Sequence, residues 1–195
     1  PSASSTRRAV FGTRAASALM PARARPAAEV KAGDPLPFES DQTTHFSVVD
    51  SAGNAVSNTT TLNFSYGLGL VAEGTGVLLN NEMDDFSAKP GALNAYGLVG
   101  SVANAVSPGA RPLSSMTPAF VFRDGRLVLV TGSPGGSRII STVLQVIVNV
   151  LDFRMNLAEA VAAPRIHHQW QPDVLMAEEG LSPDTLALLR ARGHR

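Results

Sequence analysis

Cysteine is missing from the 195-residue chain, so neither a disulfide framework nor a thiolate metal site can be built. That absence permits an oxidising compartment without fixing one. A surplus of either charge is missing too: 16 Lys and Arg balance 16 Asp and Glu for a net charge of zero, and no basic excess points to nucleic acid. No uninterrupted apolar run is long enough to span a bilayer. What the chain does have is an apolar fraction of 44%. That is ordinary for a globular protein and, at this length, enough for one sizeable core.

The most informative stretch runs from residue 38 to 63. Thr43, His45, Ser47 and Val49 alternate with Thr44, Phe46 and Val48, the period of a strand. Ser57, Thr59, Thr61 and Asn63 fall on one face of a second strand. Ser51-Ala52-Gly53 between them fits a three-residue hairpin loop with Gly53 in the left-handed position. This loop pairs Asp50 with Asn54, and counting back along the ladder sets Thr43 opposite Thr61. Surface strands are often Thr-rich for propensity alone, and on that reading the hairpin shows water a solvated face.

A cut between Gln42 and Thr43 changes that reading. Thr43 would then carry a free α-amine beside its own hydroxyl, a self-contained base and nucleophile, because an α-amine titrates near neutrality. The segment ESDQTTHFSVVD, followed by GNAVS and TLN, resembles the processing site and first hairpin of the γ-glutamyltranspeptidases, a family of N-terminal-nucleophile hydrolases. The resemblance runs from about Ala24 to the end of the chain. It implies that Thr43 is the catalytic nucleophile and that Thr61 orients it.

Later motifs fit the same family. Glycines 67, 69, 74 and 76 mark turns, and Val77-Leu78-Leu79 reads as a short buried strand. Glu82, Asp84 and Asp85 crowd into one loop. From the residues alone this is a hard-cation site without EF-hand spacing, an exposed acidic loop, or a cradle for a substrate ammonium. The resemblance implies the third, with Asn63, Glu82 and Asp85 holding the α-amino group of a glutamyl moiety. An ammonium has three donors, and an amide oxygen with two carboxylates supplies acceptors for them. Residues 90–101 read as a long surface loop or linker; the resemblance makes this a lid with Tyr96 at its tip. Ser114 and Ser115 read as turn residues, and by resemblance donate to the substrate carboxylate beside an arginine of the large subunit. Arg111 stands nearby without a basis for that role.

Residues 117–131 predict a second hairpin around Asp124-Gly125, a strong two-residue turn signal. The glycine loop after it, residues 132–138, offers backbone N–H groups to an anion. It lacks the Gly-Lys-Ser/Thr ending of a phosphate loop. By resemblance Gly135 and Gly136 form the oxyanion hole, where glycine lets a substrate carbonyl approach the backbone. Ser141, Thr142, Gln145 and Asn149 recur at helical spacing, so residues 139–151 predict a buried helix with Ser137 as its N-cap. A second helix starts at Asn156, with Glu159 completing a capping box, and ends before Pro164. His167 and His168 adjoin in a strand and therefore point to opposite faces, which suits no zinc site. A last helix starts at Ser182-Pro183 and runs to Gly193.

The implied fold is α+β, an N-terminal-nucleophile αββα sandwich seen in part. Residues 1–42 are read as a lead-in and the end of a large-subunit-like region. Their first stretch is rich in Ala, Ser and Arg like a transit peptide, yet begins with Pro and has no apolar signal core. Residues 43–195 are read as a small-subunit-like catalytic region, expected to be truncated, since family small subunits continue through further strands.

The implied activity is γ-glutamyl transfer and hydrolysis. Its substrates are glutathione or other γ-glutamyl compounds, its acceptors amino acids, peptides or water, and its partner a large subunit from the same precursor. No metal or organic cofactor is called for, and the resemblance implies a periplasmic or extracellular setting. Two other readings stand beside this one. One is a related acylase for glutaryl or cephalosporin-type amides; the other is a non-catalytic fragment of the enzyme, which for the isolated chain means no activity.

Overall fold

The computed structural model describes residues 43–195; the predicted lead-in over residues 1–42 lies outside the described residues. The chain opens on the predicted hairpin, β1 (Thr43–Val49) and β2 (Ala55–Thr61). Its register sets Thr43 against Thr61 and Ser47 against Ser57. Gly53 takes φ 87°, and the Asp50 N–H donates to the Asn54 carbonyl at 3.0 Å, as the loop chemistry predicts. A second hairpin joins β3 (Ala119–Arg123) to β4 (Arg126–Thr131) through Asp124 and Gly125, at φ 51° and 75°. Positive φ at both turn residues matches the right-handed twist of the strands. A bulge shifts this ladder between Val121 and Phe122.

Three helices follow: α1 (Ile139–Leu151), α2 (Leu157–Ala162) and α3 (Pro183–Ala191). Asn156 and Glu159 form both bonds of the predicted capping box, and Ser182 accepts from the Thr185 N–H at 3.1 Å. A short ladder, β5 (Ile166–His167) with β6 (Met176–Ala177), lies between α2 and α3. Gln145 fastens α1 to β5: its Nε2 donates to the Ile166 carbonyl at 2.8 Å and its Oε1 accepts from the Ile166 N–H at 3.0 Å. Among the described residues the strands form three separate two-stranded ladders. The first two are linked where Ser57 Oγ donates to the Thr131 carbonyl at 2.9 Å.

Three expectations are corrected. Ser137 does not cap α1; it lies inside a 3-10 turn, Gly136–Arg138, that precedes the helix, and its hydroxyl donates to Gln169. The helix is not buried all round. Ile139, Val143 and Val146 are buried at helical spacing, whereas Ile140 and Leu144 are exposed. Val77-Leu78-Leu79 is not a buried strand; Leu78 makes an isolated bridge to Val71, and Val77 and Leu79 are exposed, because Gly74 and Gly76 at positive φ turn the chain just before it. The alternative of a solvated Thr-rich face on the first hairpin, already set aside for the cut at Thr43, does not hold either: Thr43 is buried while Phe46, Val48 and Val56 on the other face are exposed.

Candidate active site

The strand register delivers two hydroxyls to one spot. Thr43 Oγ1 donates to Thr61 Oγ1 at 3.2 Å. The chain then turns at Asn63, whose φ of 73° is a left-handed conformation that Asn tolerates. This turn brings the Asn63 N–H back onto Thr61 Oγ1 at 2.9 Å. Thr61 is thereby held from two sides, and Thr43 addresses a fixed oxygen.

Asn63 is 3% exposed, and both ends of its amide are committed. Its Nδ2 donates to the Asn81 carbonyl at 3.2 Å, and its Oδ1 accepts from the Tyr96 hydroxyl at 2.6 Å. Asn81 Oδ1 in turn accepts from the Phe64 N–H at 3.1 Å. The acidic residues fold into a 3-10 turn, Glu82–Asp85, directly after Asn81. Burial first, then a hydrogen bond to Asp85 and its negative charge, push the Glu82 carboxyl up to about 7. Burial also raises Asp85. The turn is tied down where Asn104 Nδ2 donates to the Asp85 carbonyl at 2.7 Å.

Residues 94–98 fold back on themselves, with Asn94 Oδ1 accepting from the Tyr96 and Leu98 N–H groups at 3.0 and 2.9 Å. This puts the Tyr96 ring against Phe64, centroids 5.9 Å apart, and against Gly136. A Cβ on Gly136 would stand 2.9 Å from Tyr96 Cε1. Burial, reinforced by the charges of Asp85, Glu82 and Asp84, holds the Tyr96 phenol up at about 12, so it remains a donor to Asn63.

Gly135 and Gly136 take φ 130° and 57°, conformations that a side chain would strain. They turn β4 into α1. Ser114 accepts from the Met116 N–H at 3.2 Å, and the loop carrying it is fixed where the Leu113 N–H donates to Asn104 Oδ1 at 2.9 Å.

These pieces line an open cavity at the surface. Thr43, Thr61, Asn63 and Asp85 line it, as do Tyr96, Ser114, Ser115 and Gly136. Glu82 and Gly135 stand just outside the lining, Glu82 bonded to Asp85 and Gly135 next to Gly136. Arg111 is exposed and outside the lining. The two histidines part as expected: His167 Nδ1 lies 2.8 Å from Ser141 Oγ, and His168 Nε2 lies 3.3 Å from Asp173 Oδ1.

Sequence reasoning missed the side-chain amides that brace these walls, namely Asn81, Asn94, Asn104 and Gln169. A lone amide in a loop carries no pattern, so only the folded chain reveals which carbonyls and N–H groups each one joins.

Comparison with known proteins identifies the family of the chain. The family model for Gamma-glutamyltranspeptidase matches residues 4–195. The glutathione hydrolase proenzyme of Escherichia coli (strain K12) is 61% identical over 173 residues, covering 89% of this chain and 30% of that protein. Its counterpart from Pseudomonas sp. (strain A14) is 50% identical over 186 residues, covering 95% and 32%. The chain therefore spans less than a third of the length of these relatives. Among solved structures, a mutant Helicobacter pylori gamma-glutamyltranspeptidase matches with a TM-score of 0.75 at 56% identity, covering 78% of this chain and 82% of that one. A cephalosporin acylase from Bacillus halodurans matches with a TM-score of 0.66 at 27% identity, covering 77% and 26%. The fold is the α+β N-terminal-nucleophile type, and the chain belongs to the γ-glutamyltranspeptidase family.

Proposed function

We propose that this chain carries the nucleophile and most of the glutamyl-binding groups of an enzyme for γ-glutamyl transfer and hydrolysis, acting on glutathione or similar amides. The observation that carries this reading is the Thr43–Thr61 hydroxyl pair, 3.2 Å apart, on the wall of a cavity that also includes Gly136, Asp85 and Ser114.

In the precursor, the Thr43 hydroxyl attacks the carbonyl of Gln42, and an N-to-O acyl shift gives an ester. Water hydrolyses that ester, leaving a carboxylate on Gln42 and a free α-amine on Thr43. In turnover, the amine takes the proton as Thr43 Oγ1 bonds to the γ-carbonyl. The oxyanion that forms lies toward the N–H groups of Gly135 and Gly136. Collapse passes the proton to the leaving amine and leaves a γ-glutamyl ester on Thr43, which water or an acceptor amine then cleaves.

Asn63 Oδ1 and the Glu82–Asp85 pair receive the substrate ammonium, and Ser114 and Ser115 donate to its carboxylate. The large subunit from the same precursor, covering residues 1–42 and whatever precedes them, would supply the cationic partner for that carboxylate. The acylase reading draws support from the cephalosporin acylase similarity. A glutaryl group, however, has no ammonium for the acidic turn to bind.

The test is mass spectrometry of the full-length precursor, with Thr43→Ala as control, followed by parallel assays on a γ-glutamyl and a glutaryl anilide. Cleavage at Gln42–Thr43 that is lost in the variant, with preference for the γ-glutamyl substrate, is expected. Cleavage persisting without the Thr43 hydroxyl removes the assignment.

A further inference from the structure

Two walls of the cavity, the Tyr96 loop and the glycine turn, come from distant parts of the sequence, and a third segment touches both. Gln169, just beyond β5, has polar neighbours around its whole side-chain amide. Its Nε2 donates to the Tyr96 carbonyl at 3.3 Å and to the Gln171 carbonyl at 3.2 Å. Its Oε1 accepts from Ser137 Oγ at 2.8 Å, and Ser137 follows Gly136 directly. His167 Nε2 lies 3.0 Å from the same oxygen, which is a hydrogen bond only when the ring carries a proton on Nε2. The amide cannot be flipped without setting its oxygen against two carbonyls, so its orientation is determined by Tyr96 and Gln171.

The base of this bridge is rigid. His167 is held from its other nitrogen by Ser141 of α1 at 2.8 Å, and Gln145 of α1 fixes the backbone of neighbouring Ile166. The loop has a second fastening at its tip, where the Tyr96 ring packs on Phe64 and its hydroxyl donates to Asn63 Oδ1 at 2.6 Å and to the Asn63 carbonyl at 3.2 Å. Gln169 instead holds the loop by its backbone, while the bonds within residues 94–98 are internal to the loop.

We propose that Gln169 is a positioning residue that fastens the Tyr96 loop to the glycine turn and so sets how tightly the cavity is covered during acyl transfer. This rests on the functional reading above and deepens it. A covered cavity excludes bulk water from the γ-glutamyl ester and favours an acceptor that binds over one that diffuses in.

The experiment uses the full-length protein and two variants that cut the bridge on opposite sides. Gln169→Glu keeps the acceptor facing Ser137 and His167 but replaces the donor to the Tyr96 carbonyl with an oxygen. Ser137→Ala keeps the Tyr96 side and removes the donor from the turn. Hydrogen exchange of residues 94–98 is expected to quicken in Gln169→Glu by about fivefold, the weight of one net hydrogen bond, with α1 unchanged. The ratio of hydrolysis to transfer on a γ-glutamyl anilide with an acceptor dipeptide should rise by a similar factor. In Ser137→Ala the loss should fall on kcat, with the exchange of 94–98 little altered.

Unchanged exchange in Gln169→Glu overturns the tether. Faster exchange with an unchanged partition ratio overturns its role at the site. A parent protein that turns over no γ-glutamyl compound removes the functional reading by itself, and the exchange result then still decides the tether.

Discussion

The Glu82 carboxyl is hydrogen-bonded to Asp85 within a single 3-10 turn and keeps its proton up to about 7. The pair therefore gains negative charge as pH rises through about 7. A substrate ammonium binds the more charged pair better, so proton and substrate compete for the same two carboxylates. KM for a γ-glutamyl anilide should fall as pH rises through about 7, and Glu82→Gln should flatten that fall. The sign follows from linkage. A group whose pKa is raised by the fold stabilises it fully only below its ordinary value of 4.5, and that contribution is lost as pH passes about 7. Bound substrate should accordingly protect the fold more at about neutral pH than in acid, as long as its own ammonium keeps its proton. A KM independent of pH across neutrality would remove the pair from ammonium binding.

Asp85→Ala separates recognition from processing. Self-cleavage involves no substrate ammonium, whereas a charged hydrogen bond contributes about 1.5–3 kcal/mol. KM should rise by about tenfold or more, while the rate of precursor cleavage changes little. Equal losses in both assays would mean that the Asp85 side chain acts through the fold.

Tyr96→Phe keeps the ring over Gly136 and deletes only the O–H that reaches Asn63 Oδ1 at 2.6 Å. The loss then falls on the orientation of Asn63, and KM should rise by about fivefold with the ring contact intact. Because the phenol is held up at about 12, any alkaline decline in activity short of that belongs to another group and should survive in the variant. A decline that vanishes with the hydroxyl would contradict the assignment.

Turn chemistry made much of this chain legible. Asp124-Gly125, the Ser51–Gly53 loop and the Asn156/Glu159 box each specify a local geometry that needs no tertiary help, and each is found where the residues predict it. Face assignment was less legible. Alternation placed Thr43, His45 and Ser47 together, yet polarity alone suggests that face is wet, and the fold covers it instead. The covering comes from β4 and the glycine turn, some 70 residues away in Ser57→Thr131 terms, which no local pattern encodes. Ser137 failed as a cap for a related reason: the positive φ of Gly136 starts a 3-10 turn before α1, and the hydroxyl is then recruited by Gln169.

That covering makes Gly132→Ala a sharp test of how the nucleophile hairpin is docked. Gly132 follows β4 and leads into the glycine turn, and a Cβ there would collide with the His45 ring. The ring cannot swing aside freely, since Nδ1 lies 2.8 Å from Thr59 Oγ1 and Nε2 lies 3.0 Å from Ser47 Oγ. Overpacking of this kind costs about 1–3 kcal/mol, so Tm should drop, and kcat should fall with it as Thr43 shifts relative to Gly136. His45→Ala in the same chain removes the obstacle, and the double variant should lose less than the sum of the two single losses. Burial lowers the His45 pKa below 6.5, so its contribution to stability is complete above that value and is lost as pH falls through the depressed one. The wild-type protein should therefore lose more Tm on acidification than His45→Ala does. Additive losses in thermal unfolding, with no such difference in acid, would show that the hairpin is held elsewhere.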